Sequence, residues 1–268
     1  MSKKFNYKDI FSLKNKKIVI LGGSGKMGVN FSKILSSAGA KIILGDIKKA
    51  VNKPKIQYSY CDVSSETSMK SFFEKIFKKE KKVHTLIYNV YSKPKDYYKK
   101  FEDYDDKVWE KVMQSNLSGA YKASKKMISH FKKKKISGNI IFVLSTYGLV
   151  GPDFSIYKDL SSKKNIYGGK FSLTTPASYT TSKSGLLGLA KYLSTSFGKD
   201  NIRVNCLTPG GVYDGQEKKF VKNYSHKVPL GRMAKWDEYN GAILFLSSDA
   251  SSYMTGSNLI VDGGWTAW

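Results

Sequence analysis

The sequence predicts an α/β fold, a single doubly wound parallel sheet with helices on both faces. Three observations lead there. Short runs of strand length alternate with longer segments of helical spacing from Lys17 to Val261. The short runs are apolar throughout, as strands buried on both faces must be. The repeated β-α-β order requires crossovers, whose right-handedness sets the winding.

The elements follow in order. Lys17-Ile-Val-Ile-Leu21 is a strand that runs into a glycine cluster, and Met27 to Ala38 has helical spacing. Lys41 to Gly45 and Ile56 to Cys61 are the next two strands. Met69 to Phe77 reads as a helix, Val83 to Tyr88 as a strand and Trp109 to Phe131 as one long helix. Ile140 to Leu144 is a strand, and Ala177 to Phe197 is helical. Ile202 to Leu207 is a strand, Tyr239 to Leu246 a helix and Asn258 to Val261 the final strand. One domain over residues 1–268 is the simplest account. Two stretches break the rhythm, 148–176 and 211–230. The first is long enough for a substrate lid, and its aromatic residues argue against plain disorder.

Composition narrows the function. A hydrophobic fraction of 41% over 268 residues suffices for a core without metals or disulfides, and no metal site is expected. Only Cys61 and Cys206 are present, both in apparent strands, so they read as buried free thiols. No apolar run is long enough to span a bilayer, and Met1 to Lys17 lacks a secretory apolar core. A cytoplasmic protein with no membrane partner is expected. The formal charge of +25 could suggest nucleic acid, but Arg203 and Arg232 are the only arginines among 46 basic residues. Arginine is the usual reader of phosphates and bases, and the lysines are scattered along the whole chain, so no nucleic-acid partner is expected. That field does favour an anionic small molecule.

Two motifs carry the chemistry. Gly22-Gly-Ser-Gly-Lys-Met-Gly28 lies between a strand and a helix, and Gly23, Gly25 and Gly28 satisfy G-x-G-x-x-G. In that context glycines let the backbone approach a pyrophosphate resting on the helix N-terminus. Gly22, Ser24, Gly25, Lys26, Met27 and Gly28 are therefore expected around a dinucleotide, with Asp46 and Ile47 at the end of the second strand. A carboxylate at Asp46 accepts ribose hydroxyls and repels a 2′-phosphate, which favours NAD. Lys48 and Lys49 follow it and keep NADP open.

The second motif is Tyr179-Thr-Thr-Ser-Lys183, a phenol and an ammonium on one helical face. A cation nearby makes a phenol a usable acid and base. The bare spacing also occurs at Tyr91/Lys95 and Tyr121/Lys125, so context must choose. Tyr179 follows a strand ending in Leu144-Ser145-Thr146, at the sheet edge where such folds place ligands. Tyr121 lies within a long helix, and Pro94 interrupts any helix through Tyr91 and Lys95.

Taken together, the chain resembles the short-chain dehydrogenase/reductase family from Lys17 to Trp268. The phosphate loop, Cys61-Asp62-Val63, Asn116-Leu117, Ser145, Tyr179/Lys183, Pro209-Gly210 and Val261-Asp262-Gly263-Gly264 fall in family order. The resemblance implies a Rossmann domain and an NAD(P)-dependent oxidoreductase. It implies that Tyr179 exchanges the proton, that Ser145 polarises the substrate oxygen and that Lys183 binds the nicotinamide ribose. Asn116 would hold a relay water, Asp62, Val63 and Asn89 would border the adenine, and Pro209, Gly210 and Val212 would border the nicotinamide. A capping Ser145 and a merely packed Asn116 are the plain alternatives.

The sequence departs from the family pattern at Leu21, Lys26, Tyr91 and Asp214, and Ser145 and Tyr179 stand 34 residues apart. The insert resembles those of oxidoreductases from flagellin-glycosylation and nonulosonic-acid loci. A hydride transfer at a hydroxyl or ketone of an anionic sugar or activated sugar is the resulting expectation. Tyr147, Tyr157 and Tyr167 are candidate substrate contacts, with core or lid packing as the alternative. A reductase of 3-oxoacyl or small ketones, and a cofactor-bound sensor without turnover, are the rival readings. Relatives of this kind pair through their long helices, so a homodimer or homotetramer is implied.

Overall fold

The computed structural model describes residues 6–49, 56–160 and 173–268. The chain opens with α1 (Tyr7–Phe11), then β1 (Lys17–Leu21), α2 (Lys26–Ser37), β2 (Lys41–Asp46), β3 (Ile56–Tyr60) and α3 (Glu66–Glu80). It continues through β4 (Thr85–Tyr88), α4 (Asp106–Met113), α5 (Gly119–Lys134), β5 (Gly138–Val143) and α6 (Ala177–Phe197). β6 (Ile202–Pro209), α7 (Lys218–Ser225), α8 (Asn240–Ser247) and β7 (Asn258–Val261) complete it.

The seven strands form one sheet in the order β3-β2-β1-β4-β5-β6-β7, and every neighbouring pair is parallel. The doubly wound Rossmann-type arrangement expected from the sequence is therefore the fold. Chain direction across the sheet reverses between β1 and β4, which pair from Ile18↔Thr85 to Leu21↔Tyr88. The loops leaving those two strands must part there, and a crevice opens outside their carboxyl ends.

Each sheet face carries its own core. On one side Phe72, Phe73, Ile76, Met127, Phe131 and Leu186 pack over Val19, Leu86, Ile140 and Val204. On the other Phe31, Leu35, Tyr239, Ile243 and Leu246 pack over Ile18, Ile20, Ile42 and Ile141. Adjacent residues of one strand thus enter opposite cores, which is why the strands read as continuous apolar runs. A third cluster, containing Tyr147, Ile156, Tyr224, Val228, Met233 and Trp265, lies beyond the sheet edge.

Three expectations need correction. The long helix is two helices, α4 and α5, joined by a π-helical turn at Gln114–Ser118. β3 stops at Tyr60, leaving Cys61 just outside it, although both cysteines are buried and free as expected. The irregular stretch 211–230 contains α7, and a short α1 precedes the first strand, its N-terminus capped by the Asn6 side chain. Among the described residues no helix is long and apolar enough to cross a membrane, and no metal-holding cluster of His, Cys and carboxylates occurs.

Candidate active site

The crevice is a cleft of about 950 Å³. Its nucleotide end begins at the phosphate loop. Gly22 has φ +73°, and a side chain there would lie 2.6 Å from the Asn89 carbonyl, so only glycine serves. Gly25 differs. It caps α2 with φ −66°, and an added Cβ would come no closer than 3.7 Å to any protein atom. Gly25 lines the cleft, so the space a Cβ would take is ligand space, where α2 also directs its unpaired N–H groups. The loop thus fits a pyrophosphate.

Asp46 holds this loop in place. One carboxylate oxygen accepts the Ser24 N–H and the other the Lys48 N–H, both at 3.0 Å. Asn89 donates its side-chain amide to the Gly22 carbonyl at 3.0 Å. Asp62 accepts from the N–H and O–H of Ser64 at 2.9 and 2.6 Å. All three line the cleft, together with Ser24, Lys26, Met27, Ile47, Val63, Pro209, Gly210 and Val212. Gly28 does not, and its role is local: a Cβ there would sit 2.6 Å from the Gly22 carbonyl. Lys26 reaches across the cleft to form an ion pair with Asp214.

Opposite the loop stand Ser145, Tyr179 and Lys183, all lining the cleft. Lys183 is only 4% exposed, and its ammonium donates to the Val143 carbonyl at 2.7 Å. Burial lowers its pKa to about 8. The same ammonium lies 6.0 Å from the Tyr179 ring centre. The pair is therefore a phenol beside a desolvated amine, with α6 setting the spacing. Ser145 is buried and caps a short 3-10 turn, accepting the Tyr147 N–H at 3.3 Å. Capping occupies a lone pair of Ser145 and leaves its O–H to donate. The 34-position offset of Ser145 and Tyr179 does not separate the two elements, because Ser184 of α6 donates to the Gly148 carbonyl at 2.9 Å.

Asn116 is fully buried behind the wall that Ser115 lines. Its oxygen accepts the Ser92 N–H at 3.0 Å and its amide donates to Ser182 at 3.1 Å. Ser182 donates its hydroxyl to the Tyr179 carbonyl at 2.9 Å. Asn116 thus ties the loop after β4 to the helix that carries the phenol, and the π-helical turn brings it there.

The far end of the cleft is aromatic. Tyr147 and Tyr157 line it while packing in the third cluster, and Tyr157 shares a 2.6 Å hydrogen bond with Thr175. Tyr167 falls outside the described residues. Sequence reasoning missed Tyr97, Tyr98, Lys93, Phe220 and Tyr224, which also line this end. Phe220 and Tyr224 stand four apart on α7, a signal that could have revealed them. The loop holding Tyr97, Tyr98 and Lys93 has no periodicity to read. Tyr91 packs its ring 5.1 Å from that of Tyr179, and Tyr224 stacks on Trp265 at 4.5 Å. Cys61 and Cys206 are pushed up to about 12 by burial, which leaves the thiols protonated and inert.

Known proteins share this architecture. The family model described as short chain dehydrogenase matches residues 16–168, and one described as enoyl-(acyl carrier protein) reductase matches residues 164–266. The chain is 28% identical to the post-translational flagellin modification protein A of Campylobacter coli, over 94% of this chain and 99% of that protein. It is 28% identical to a ribulose-forming D-arabinitol 2-dehydrogenase of Candida tropicalis, over 96% and 95% of the two chains. A short chain dehydrogenase of Leptospira borgpetersenii, solved with bound NAD+, superposes with a TM-score of 0.86 at 29% identity, covering 99% of this chain and 98% of that one. The glycine loop, the sheet reversal and a model match spanning more than half the sequence agree, and the chain belongs to the short chain dehydrogenase family, as an NAD(P)-dependent oxidoreductase.

Proposed function

We propose that the protein oxidises a hydroxyl, or reduces a ketone, on a sugar or activated sugar used in bacterial glycan assembly, with NAD as its hydride carrier. The observation that carries this reading is the placement of Tyr179 and Lys183 in one cleft with the phosphate loop and a tyrosine-lined end. Bound in the cleft, the nicotinamide gives or takes the hydride. Tyr179 takes the proton of the substrate hydroxyl in oxidation and returns it in reduction. Ser145 donates its O–H to that substrate oxygen and holds the reacting carbon in place. Lys183, when charged, stabilises the phenolate form of Tyr179 and holds the nicotinamide ribose. Asn116 is a positioning residue, keeping Tyr179 in register with the loop after β4.

Asp46 supports NAD over NADP, since its carboxylate lines the cleft and would face a 2′-phosphate with like charge. The sugar substrate is supported by the tyrosine-rich lining and by similarity to a flagellin-modifying protein and a polyol dehydrogenase. Steady-state NADH oxidation with sugar ketones against 3-oxoacyl esters tests the reading. Turnover on sugar ketones is expected, and activity confined to acyl ketones would overturn it. Tyr179→Phe should lower kcat by about a hundredfold or more while NADH affinity holds. An unchanged kcat would remove the mechanism. If no ketone is turned over although NADH binds, the protein is a cofactor-bound sensor.

A further inference from the structure

Two of the positions where the sequence departs from the family pattern meet across the cleft. Lys26 is the first residue of α2, directly after the Gly25 cap, and Asp214 stands in the loop after β6. Their side chains form an ion pair, and both line the cleft. The ammonium also lies 5.9 Å from the ring centre of Trp236, another lining residue. The pair therefore joins the wall that seats a pyrophosphate to the segment that runs on into α7.

The two partners differ in freedom. The main chain holds Asp214: its N–H donates to the Gln216 side chain at 2.7 Å, and the Gln216 amide donates to the Val212 carbonyl at 2.9 Å. The preceding residue, Tyr213, donates its N–H to the Ala234 carbonyl at 2.8 Å. Lys26 is the movable partner, on a flexible stem with its side chain 65% exposed against 26% for Asp214. An ion pair this open to water is weak. A pyrophosphate at Gly25 adjoins Lys26 in the chain, carries more charge than a carboxylate and accepts charge-assisted hydrogen bonds. It draws the same ammonium more strongly than Asp214 does.

We propose that Asp214 competes with the pyrophosphate of the dinucleotide for Lys26, and so loosens the coenzyme and speeds its release. Lys26 moves between the two anions while Asp214 stays in place. Asp214 thereby opposes coenzyme retention, which suits a hydride carrier that must leave after each turnover. This rests on the pyrophosphate seat at the glycine loop.

The test compares ADP-ribose, NADH and adenosine on the parent, both single variants and the double variant. Calorimetry gives affinities, displacement of NADH gives that of adenosine, and stopped-flow fluorescence gives NADH dissociation. ADP-ribose keeps the pyrophosphate without the nicotinamide, and adenosine lacks both. Asp214→Asn should tighten ADP-ribose and NADH by about three- to fivefold and slow NADH dissociation. Lys26→Gln should weaken both ligands by about fivefold or more. Adenosine should bind every variant within about twofold of the parent, which also shows that each is folded. Once Lys26 is Gln, adding Asp214→Asn should change ADP-ribose affinity by less than about twofold, because the contested ammonium is gone. Unchanged or looser ADP-ribose binding by Asp214→Asn would overturn the proposal, leaving the pair a surface contact or a clamp. Tightening that persists without Lys26, or that adenosine shares, would also overturn it. ADP-ribose binding the parent no tighter than adenosine would bring down the pyrophosphate seat as well.

Discussion

Single residues in the cleft separate what the fold needs from what a ligand needs. Gly25 has open space where a methyl group would go, whereas at Gly28 that methyl would strike the Gly22 carbonyl at 2.6 Å. Gly25→Ala should therefore fold with a stability within about 1 kcal/mol of the parent and lose at least about tenfold in NADH affinity. Gly28→Ala should instead cost about 1–3 kcal/mol of stability. Urea unfolding and fluorescence titration with NADH measure both, and parental NADH binding by Gly25→Ala would move the pyrophosphate seat elsewhere. Lys183 carries a prediction about pH. Its folded pKa of about 8 lies below the ordinary lysine value of 10.5, so the unfolded chain binds more protons between those limits. The stability of the parent relative to Lys183→Met should then rise with pH across that window, by up to about 1.4 kcal/mol per unit, and stay level below it. A difference that does not change with pH would mean the amine is not desolvated. At this scale the glycine loop and Asp46 were legible from local spacing, the Tyr179/Lys183 pair only from its place after a strand end, and Ser145 only through the family resemblance. Lys93, Tyr97 and Tyr98 were not, because nothing local marks the loop that presents them.

At the scale of elements, legibility was uneven. β1, α6 and β7 have the bounds read from the sequence, Lys17–Leu21, Ala177–Phe197 and Asn258–Val261. Burial does not account for this by itself, since β1 is buried along its run, β7 is half-exposed, and the buried β6 carries Asn205 mid-run. The π-helical turn between α4 and α5 left no mark, since inserting a residue into a helix leaves composition unchanged. Tertiary pairing was equally silent. Glu80, at the end of α3 and 2% exposed, receives Lys41 at 2.8 Å and Lys17 at 3.1 Å, from partners 39 and 63 residues away. Burial alone would raise the pKa of this carboxyl, but the two lysine hydrogen bonds outweigh it and hold the group below its usual 4.5. The carboxylate thus fastens the starts of β1 and β2 to α3. Glu80→Gln should cost about 1–3 kcal/mol near neutral pH, because two ammonium groups lose their shared acceptor. A depressed carboxyl stabilises above its unfolded pKa, so the gap between variant and parent should close as the pH falls below about 4.5. Urea midpoints across that range check it, and a gap that persists in acid would reduce the cluster to ordinary packing.

For the whole molecule, the order β3-β2-β1-β4-β5-β6-β7 accounts for the cleft without reference to any side chain. The parting of the loops after β1 and β4 makes the crevice, and the phosphate loop and α6 supply its two walls. That much was legible from the alternation of apolar runs, which is why the fold class and the cofactor end could be read together. The substrate end was less legible because it is assembled from segments distant in sequence. Tyr147 follows β5, Tyr224 comes from α7, and Trp265 lies past the final strand, yet the three rings pack as one cluster. Asp262 fixes that last segment by accepting the N–H groups of Gly264 and Thr266 at 2.8 and 2.9 Å. Trp265 thus stands behind Tyr147 and Tyr224, two rings that line the cleft. Removing the Trp265 ring should therefore slacken the tyrosines at the aromatic end from behind, well away from the glycine loop that the cofactor would meet.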